Sequence, residues 1–341
     1  MSKNKQIRRI FFIIVITVLS LALCICAGSV LLSAGEMAEI ISYKLFGKQL
    51  SDAANVSNVS ILWDIRMPRV FCAFFAGAAL SLSGAVMQAV LQNPLASSYT
   101  MGVSAGASLG AAIVIITGAA GSIFGYFLLP AAGFGAGLLT VFLVIAFAAK
   151  IDRNMHNNTL ILFGMVFSLF VNAMLTILST MSSEHVQRLI MWQMGSFSGK
   201  RWVHVAALCV CTLIGGFLLI FFHRELDIMT FGEEPAMSIG VDIKRKKTML
   251  LAIASFLTGA AVCFSGIIGF VDLTVPQIVR KIFGSKHSVV LPMSMLLGGV
   301  FMALADMVSR TIMAPREIPV GAVTAMIGVP VFVWIYFKGR D

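Results

Sequence analysis

Charge is scarce in this sequence. Of its 341 residues only 12% are Asp, Glu, Lys or Arg, about half the share of an ordinary soluble domain. Patterns that carry chemistry are scarce as well. Gly47-Lys48 and Gly199-Lys200 lack the upstream glycine and the following Ser or Thr of a P-loop, so no phosphate cradle of that type is present. There is no His-Glu-x-x-His. The five histidines, His156, His185, His204, His223 and His287, fall near the ends of apolar runs and read as interfacial polar anchors, not as metal ligands. The six cysteines, Cys24, Cys26, Cys72, Cys209, Cys211 and Cys263, lie inside apolar runs. Cys-x-Cys occurs twice, but that spacing on a helix points the side chains apart. They read as small buried hydrophobes. No nucleophile, base and orienting group form a constellation, which argues against a membrane enzyme.

Acids within the apolar runs are few. Asp272 and Asp306 are the main ones, and each is expected close to an outer end. A carrier driven by ions or protons usually places charge deep in its spans. The shortage therefore favours energy supplied by another protein over an ion-coupled secondary carrier, which stays the competing reading.

What the sequence has is oil: 59% of it is hydrophobic. Long apolar runs recur from end to end and predict an all-α polytopic membrane protein, one transmembrane domain over 1–341. Ten segments are expected, beginning near residues 10, 67, 98, 121, 156, 202, 247, 274, 288 and 319. The first follows Lys3, Lys5, Arg8 and Arg9 but lacks a small-residue cleavage site, so it reads as a retained span. The segment near 274–283 is too short to cross about 30 Å of hydrocarbon. Residues 186–196, with Trp192 and Gly195, suggest a short interfacial helix.

The formal net charge is +10, but the basic residues cluster at the ends of apolar runs. That is the positive-inside pattern, not a nucleic-acid face. With the N-terminus inside, 16 of the 25 Lys and Arg fall inside, placing both termini in the cytoplasm.

"GAALSLSG" at 77–84 is similar to "GAAVCFSG" at 259–266, and the same offset aligns Leu91 with Leu273, Pro94 with Pro276 and Gly102 with Gly284. The two copies run in opposite directions on the charge count, an inverted-topology repeat. Gly102, Gly106 and Gly110 share a helix face, a signal for close helix packing.

The longest polar stretch, "TFGEEPAMSIGVDIKRKK", spans 230–247. A short helix there, with Glu233 and Glu234 at its start and Ala236, Met237 and Ile239 on one side, could enter a groove on a partner. A solvated loop held near lipid headgroups by Lys244–Lys247 is the alternative.

Several blocks resemble the permease family of iron-siderophore, haem and vitamin B12 ABC importers: "RMPR" at 66–69, "GAALSLSGAVMQAVLQNPLASSYTMGVSAGA", "MWQMGSFSGKRW" at 191–202, "GFVDLTVPQIVRKIFGSKHSVVLP" and "ADMVSRTIMAPREIPVGAVTAMIGVPVFVW". The resemblance covers about 66–337. It implies a homodimer of ten-span subunits, or a pair with a close paralogue, in a bacterial cytoplasmic membrane. It implies two cytoplasmic ATPase subunits that hold ATP and Mg, an external binding protein, and no cofactor on this chain. The cargo it implies first is a ferric siderophore, with haem or a corrinoid as alternatives. It makes Gly232, Glu233, Glu234, Pro235, Ala236, Met237, Ile239 and Gly240 the coupling loop. Arg66, Arg69 and Arg310 become docking charges for an acidic binding protein, against the alternative of snorkelling anchors. Asn93, Pro94 and Leu95, with Asn157 and Asn158, become a cytoplasmic gate, against the alternative of an ordinary turn. The chain departs from the family pattern at Ser97-Ser98 (commonly Asp-Pro), Asp272 (Gly), Gln277 (His) and Ser265-Gly266 (Gly-Pro).

Overall fold

The computed structural model describes residues 3–28, 33–48, 56–119, 125–152, 155–230, 232 and 242–337, and there it is helical. In chain order the helices are α1 Lys3–Cys26, α2 Ala34–Phe46, α3 Val56–Ser60, α4 Met67–Val90, α5 Val103–Ile116, α6 Gly125–Ile151, α7 Asn157–Thr180, α8 Ser183–Gln193, α9 Trp202–Phe221, α10 His223–Met229, α11 Ile243–Ser265, α12 Val271–Phe283, α13 His287–Thr311 and α14 Val320–Phe337. A π-helical stretch, Ile61–Arg66, joins α3 to α4. Among the described residues, seven helices are long and apolar enough to span a membrane, and α5 and α14 are shorter apolar helices. With the 13-residue α12 these make the ten segments expected.

Several boundaries move. The second span is continuous over Ser57–Val90, because α3 and the π-helical stretch carry the helix past its expected start. The basic run Lys244–Lys247 belongs to the first turns of α11, not to a loop, since the Asp242 carboxylate accepts from the Arg245 N–H at 3.1 Å and caps the helix there. α2 was not expected. Its signal is local: Ser33 and Glu36 form a reciprocal capping box.

Nearly every residue of α4 is buried. It crosses α13, α11, α12 and α9 at the centre of the bundle. In lipid such packing comes from close approach of backbones, not from expulsion of water. The glycine stripe of α5 serves this purpose: a Cβ on Gly106 or Gly110 would lie 2.2–2.3 Å from atoms of α6. By contrast α7 buries only Leu160, Gly164 and Val171 among its described residues and leaves Leu169, Phe170 and Ile177 exposed.

Candidate gate and coupling region

At one end of the bundle α4, α10, α12 and the start of α13 meet. Pro94 lacks a backbone donor and cannot extend α4, and Gln92 turns the chain with a left-handed φ of 50°. The Asn93 side-chain oxygen then accepts from the Leu95 N–H at 2.9 Å, an Asx turn. Leu95 is half exposed. Gln92 Nε2 donates to the Met229 carbonyl at 2.7 Å, tying this turn to the end of α10. Asn157 and Asn158 open α7. No hydrogen bond joins them to residues 93–95 among the described residues, and the buried Asn157 Oδ1 has no protein partner.

α10 is fixed on its other side by Asp227. One carboxylate oxygen accepts from the His287 backbone N–H at 2.8 Å and from His287 Nδ1 at 2.7 Å. An acid therefore sits at the N-terminus of α13, where the helix dipole favours it.

Of the expected coupling residues only Gly232 is described, with φ 114°. Glu233, Glu234, Pro235, Ala236, Met237, Ile239 and Gly240 lie outside the described residues. The flanks of that segment are pinned. Lys246 Nζ lies 2.9 Å from Glu225 Oε1 and 4.5 Å above the Phe222 ring. Partial burial pushes the Glu225 carboxyl up, but the hydrogen bond and charge of Lys246 outweigh it and hold it below its ordinary value. Lys247 is fully buried and donates to the Met155 carbonyl at 2.7 Å. It is not a headgroup anchor, because helix α11 turns it inward.

A buried polar seam continues from here into the bundle. Pro276, inside α12, cannot bond the Asp272 carbonyl four residues back. Gln88 Nε2 reaches that carbonyl at 3.3 Å and the next at 3.2 Å. The approach is close enough that a Cβ on Gly84 would lie 1.9 Å from the Asp272 carbonyl oxygen, so glycine is required there. The Asp272 carboxylate accepts from the Ser97 hydroxyl and is almost fully buried. Gln88 and Ser97, the partners of this residue, flank the α10 end of α4, so Asp272 does not lie at the outer end where the arginines meet. The chain folds back after α11, so α12 begins inside the protein. Ser83 Oγ lies 2.6 Å from Ser98 Oγ and 2.8 Å from Thr258 Oγ1, extending the seam to α11.

The three arginines meet at the opposite end of the bundle, and they point inward. Arg69 donates from Nε and Nη2 to Asp306 at 2.9–3.0 Å and also bonds Glu317. Arg66 donates to the Cys26 carbonyl at 2.9 Å, and Arg310 to that of Cys24. Arg66 and Arg69 are 4% and 7% exposed. Docking through them requires these bonds to be exchanged, because the isolated chain does not present the charges at its surface.

The family model described as the FecCD transport family matches residues 14–338. The chain belongs to the FecCD transport family. This FecCD chain is 39% identical over 320 residues to the ABC transporter permease protein YvrB of Bacillus subtilis, covering 94% of the chain and 90% of that protein. It is 39% identical over 275 residues to the cobalamin import system permease BtuC of Halobacterium salinarum, covering 81% and 73%. With the Fe(3+)-citrate import system permease YfmD of B. subtilis it shares 33% over 317 residues, covering 87% and 92%. A solved structure of a metal-chelate type ABC transporter in an inward-facing conformation superposes with a TM-score of 0.84 at 27% identity, covering 97% of the chain and 99% of its counterpart. The FecCD chain is a membrane-spanning permease subunit of an ABC importer.

Proposed function

We propose that this permease moves a ferric siderophore or related iron chelate from an external binding protein into the cytoplasm. It works as a homodimer on two ATPase subunits, with both termini and the α10 end cytoplasmic. The observation that carries this reading is the agreement over 97% of the chain with a structure described as that of a metal-chelate type ABC transporter, together with the 33% identity to a ferric-citrate permease. The positive-inside count supports the orientation. Asn93, Pro94 and Leu95 act as the inner gate, and residues 232–240 receive the ATPase stroke.

A corrinoid cargo is the second reading. It is favoured by the 39% identity to a cobalamin permease against 33% to a ferric-citrate one. Uptake of labelled ferric siderophores, haem and cyanocobalamin by cells with and without the gene separates the two. Gene-dependent uptake of cyanocobalamin alone removes the first reading, and ferric siderophore uptake alone removes the second.

A further inference from the structure

A cavity of about 210 Å³ opens at the α10 end of the bundle, walled by Gln88, Gln92, Asn93, Gln277, Arg280 and His287 among others. Its walls come from α4, the turn after it, α12 and α13, and Thr230 closes one side. Two of the lining groups lack a counter-charge or a partner. Arg280 donates to Gln88 Oε1 and, at 3.0 Å, to the Ala85 carbonyl. Both acceptors are neutral, and Arg280 has no ion pair among the described residues. Two bonds leave three of its five N–H groups for other use. His287 is 1% exposed, and its Nε2 has no hydrogen-bond partner. Its Nδ1 is committed to Asp227, so Nε2 is the nitrogen left over. The first turn of α13 begins at this same histidine, and the Asp227 carboxylate already occupies that positive helix end.

We propose that this cavity is a binding site for a phosphate-type oxyanion, held by Arg280 and by the side-chain amides around it. The partners fit that chemistry. A guanidinium presents paired N–H donors to phosphate oxygens. No carboxylate lines the cavity, and the neighbouring Asp227 is committed to the backbone N–H and Nδ1 of His287, while Arg280 opposes a metal cation. The amides of Gln92, Asn93 and Gln277 supply further donors at the wall. An anion seated there would touch both the Asn93–Pro94 turn and Thr230 and would bridge the two. The source is either the headgroup of an anionic phospholipid or free phosphate. The site rests on geometry alone and is independent of which cargo the permease carries.

The test uses the full permease in nanodiscs and reads thermal unfolding. In phosphatidylcholine discs, inorganic phosphate is expected to raise the midpoint in a saturable manner. In phosphatidylglycerol discs a lipid source already fills the site, so the phosphate response vanishes. An undiminished response there assigns the site to free phosphate. Arg280→Gln removes the charge-assisted contact and should weaken binding about tenfold or more. Because Arg280 also supports Gln88, a second variant is needed. Ser285→Asp places an acid on the exposed rim without touching the core and should weaken phosphate by a similar factor. No stabilisation by phosphate in phosphatidylcholine discs, with no gain from phosphatidylglycerol, overturns the proposal. So does stabilisation that survives unchanged in Ser285→Asp.

Discussion

The side chain of Gln92 donates to the carbonyl of Met229 at 2.7 Å, joining the turn after α4 to the last residue of α10. On one side of that bond lies the Asn93–Leu95 turn. On the other, one residue further along, begins the segment expected to meet an ATPase. A push on α10 therefore reaches the turn through one amide. Gln92→Leu should lower uptake more than ATP hydrolysis, because the motor still binds while its stroke is transmitted less well. Loss of a neutral hydrogen bond is about 1 kcal/mol, roughly fivefold in an equilibrium. The ratio of transport to hydrolysis in liposomes is the measurement. A ratio equal to that of the unmodified protein removes Gln92 from the transmission path.

Charge reversal tests the segment itself. Glu233→Lys with Glu234→Lys should abolish substrate-stimulated ATP hydrolysis and leave the permease folded. The two acids occupy a polar stretch, and reversed charge at a partner groove disfavours docking. Normal stimulation together with normal uptake would return residues 232–240 to the role of a solvated loop.

Much of this arrangement was legible in the residues, and the exceptions share a cause. Apolar runs, proline positions and basic clusters are properties of neighbours in sequence, so the ten segments and the turn at Pro94 could be read directly. Arg69 could be read as a charge at a span end but not as a buried one. Its partners Asp306 and Glu317 lie 237 and 248 residues away, and the shallow placement of Asp306 gave no sign of the pair. Gln92 was missed because its acceptor is a backbone carbonyl, which leaves no mark on residue type. Asp272 was misplaced because the return of the chain after α11 buries a helix start. The departures at Ser97-Ser98, Asp272 and Gln277 looked independent, yet Ser97 bonds Asp272 and Gln277 bonds Gln88. They belong to one seam.

Breaking the Arg69 clamp should be costly. The Asp306 side chain is fully buried and that of Arg69 is 8% exposed. Asp306→Asn leaves a buried guanidinium with only Glu317, which is partly exposed. A loss of about 3–5 kcal/mol follows for a buried ion pair stripped of one partner. Thermal unfolding in detergent would register it. A change within experimental scatter would mean that solvent or lipid headgroups already satisfy Arg69.

The Glu225–Lys246 tether carries a pH dependence of definite sign. Its carboxyl is held below the ordinary value of 4.5 in the folded protein. Its contribution is therefore full above the unfolded value and is lost as pH falls through the lower folded one. Amide exchange at residues 242–246, corrected for intrinsic rates, should stay flat from pH 5 to 8 by this argument and speed up below about 4. Glu225→Gln should exchange at one corrected rate throughout. A rise beginning near neutral pH would point to another group.

The last prediction concerns the turn after α4 and the two-fold axis. If two copies share one pathway, residues at its inner mouth must approach their own symmetry mates. Leu95 is 52% exposed although apolar, and the Asx turn at Asn93 holds it out from the bundle. A disulfide needs Cα atoms within about 7 Å, so only positions beside the axis qualify. The six native cysteines are free and must first be replaced by serine or alanine. Asn93→Cys or Leu95→Cys should then cross-link to its twin without nucleotide, while Lys48→Cys at the opposite end should not. Cross-linking that changes with ATP and vanadate would mean that the constriction moves during the cycle. If neither position cross-links in any nucleotide state while the protein stays dimeric and active, the turn lies off the axis and the gate must be sought elsewhere.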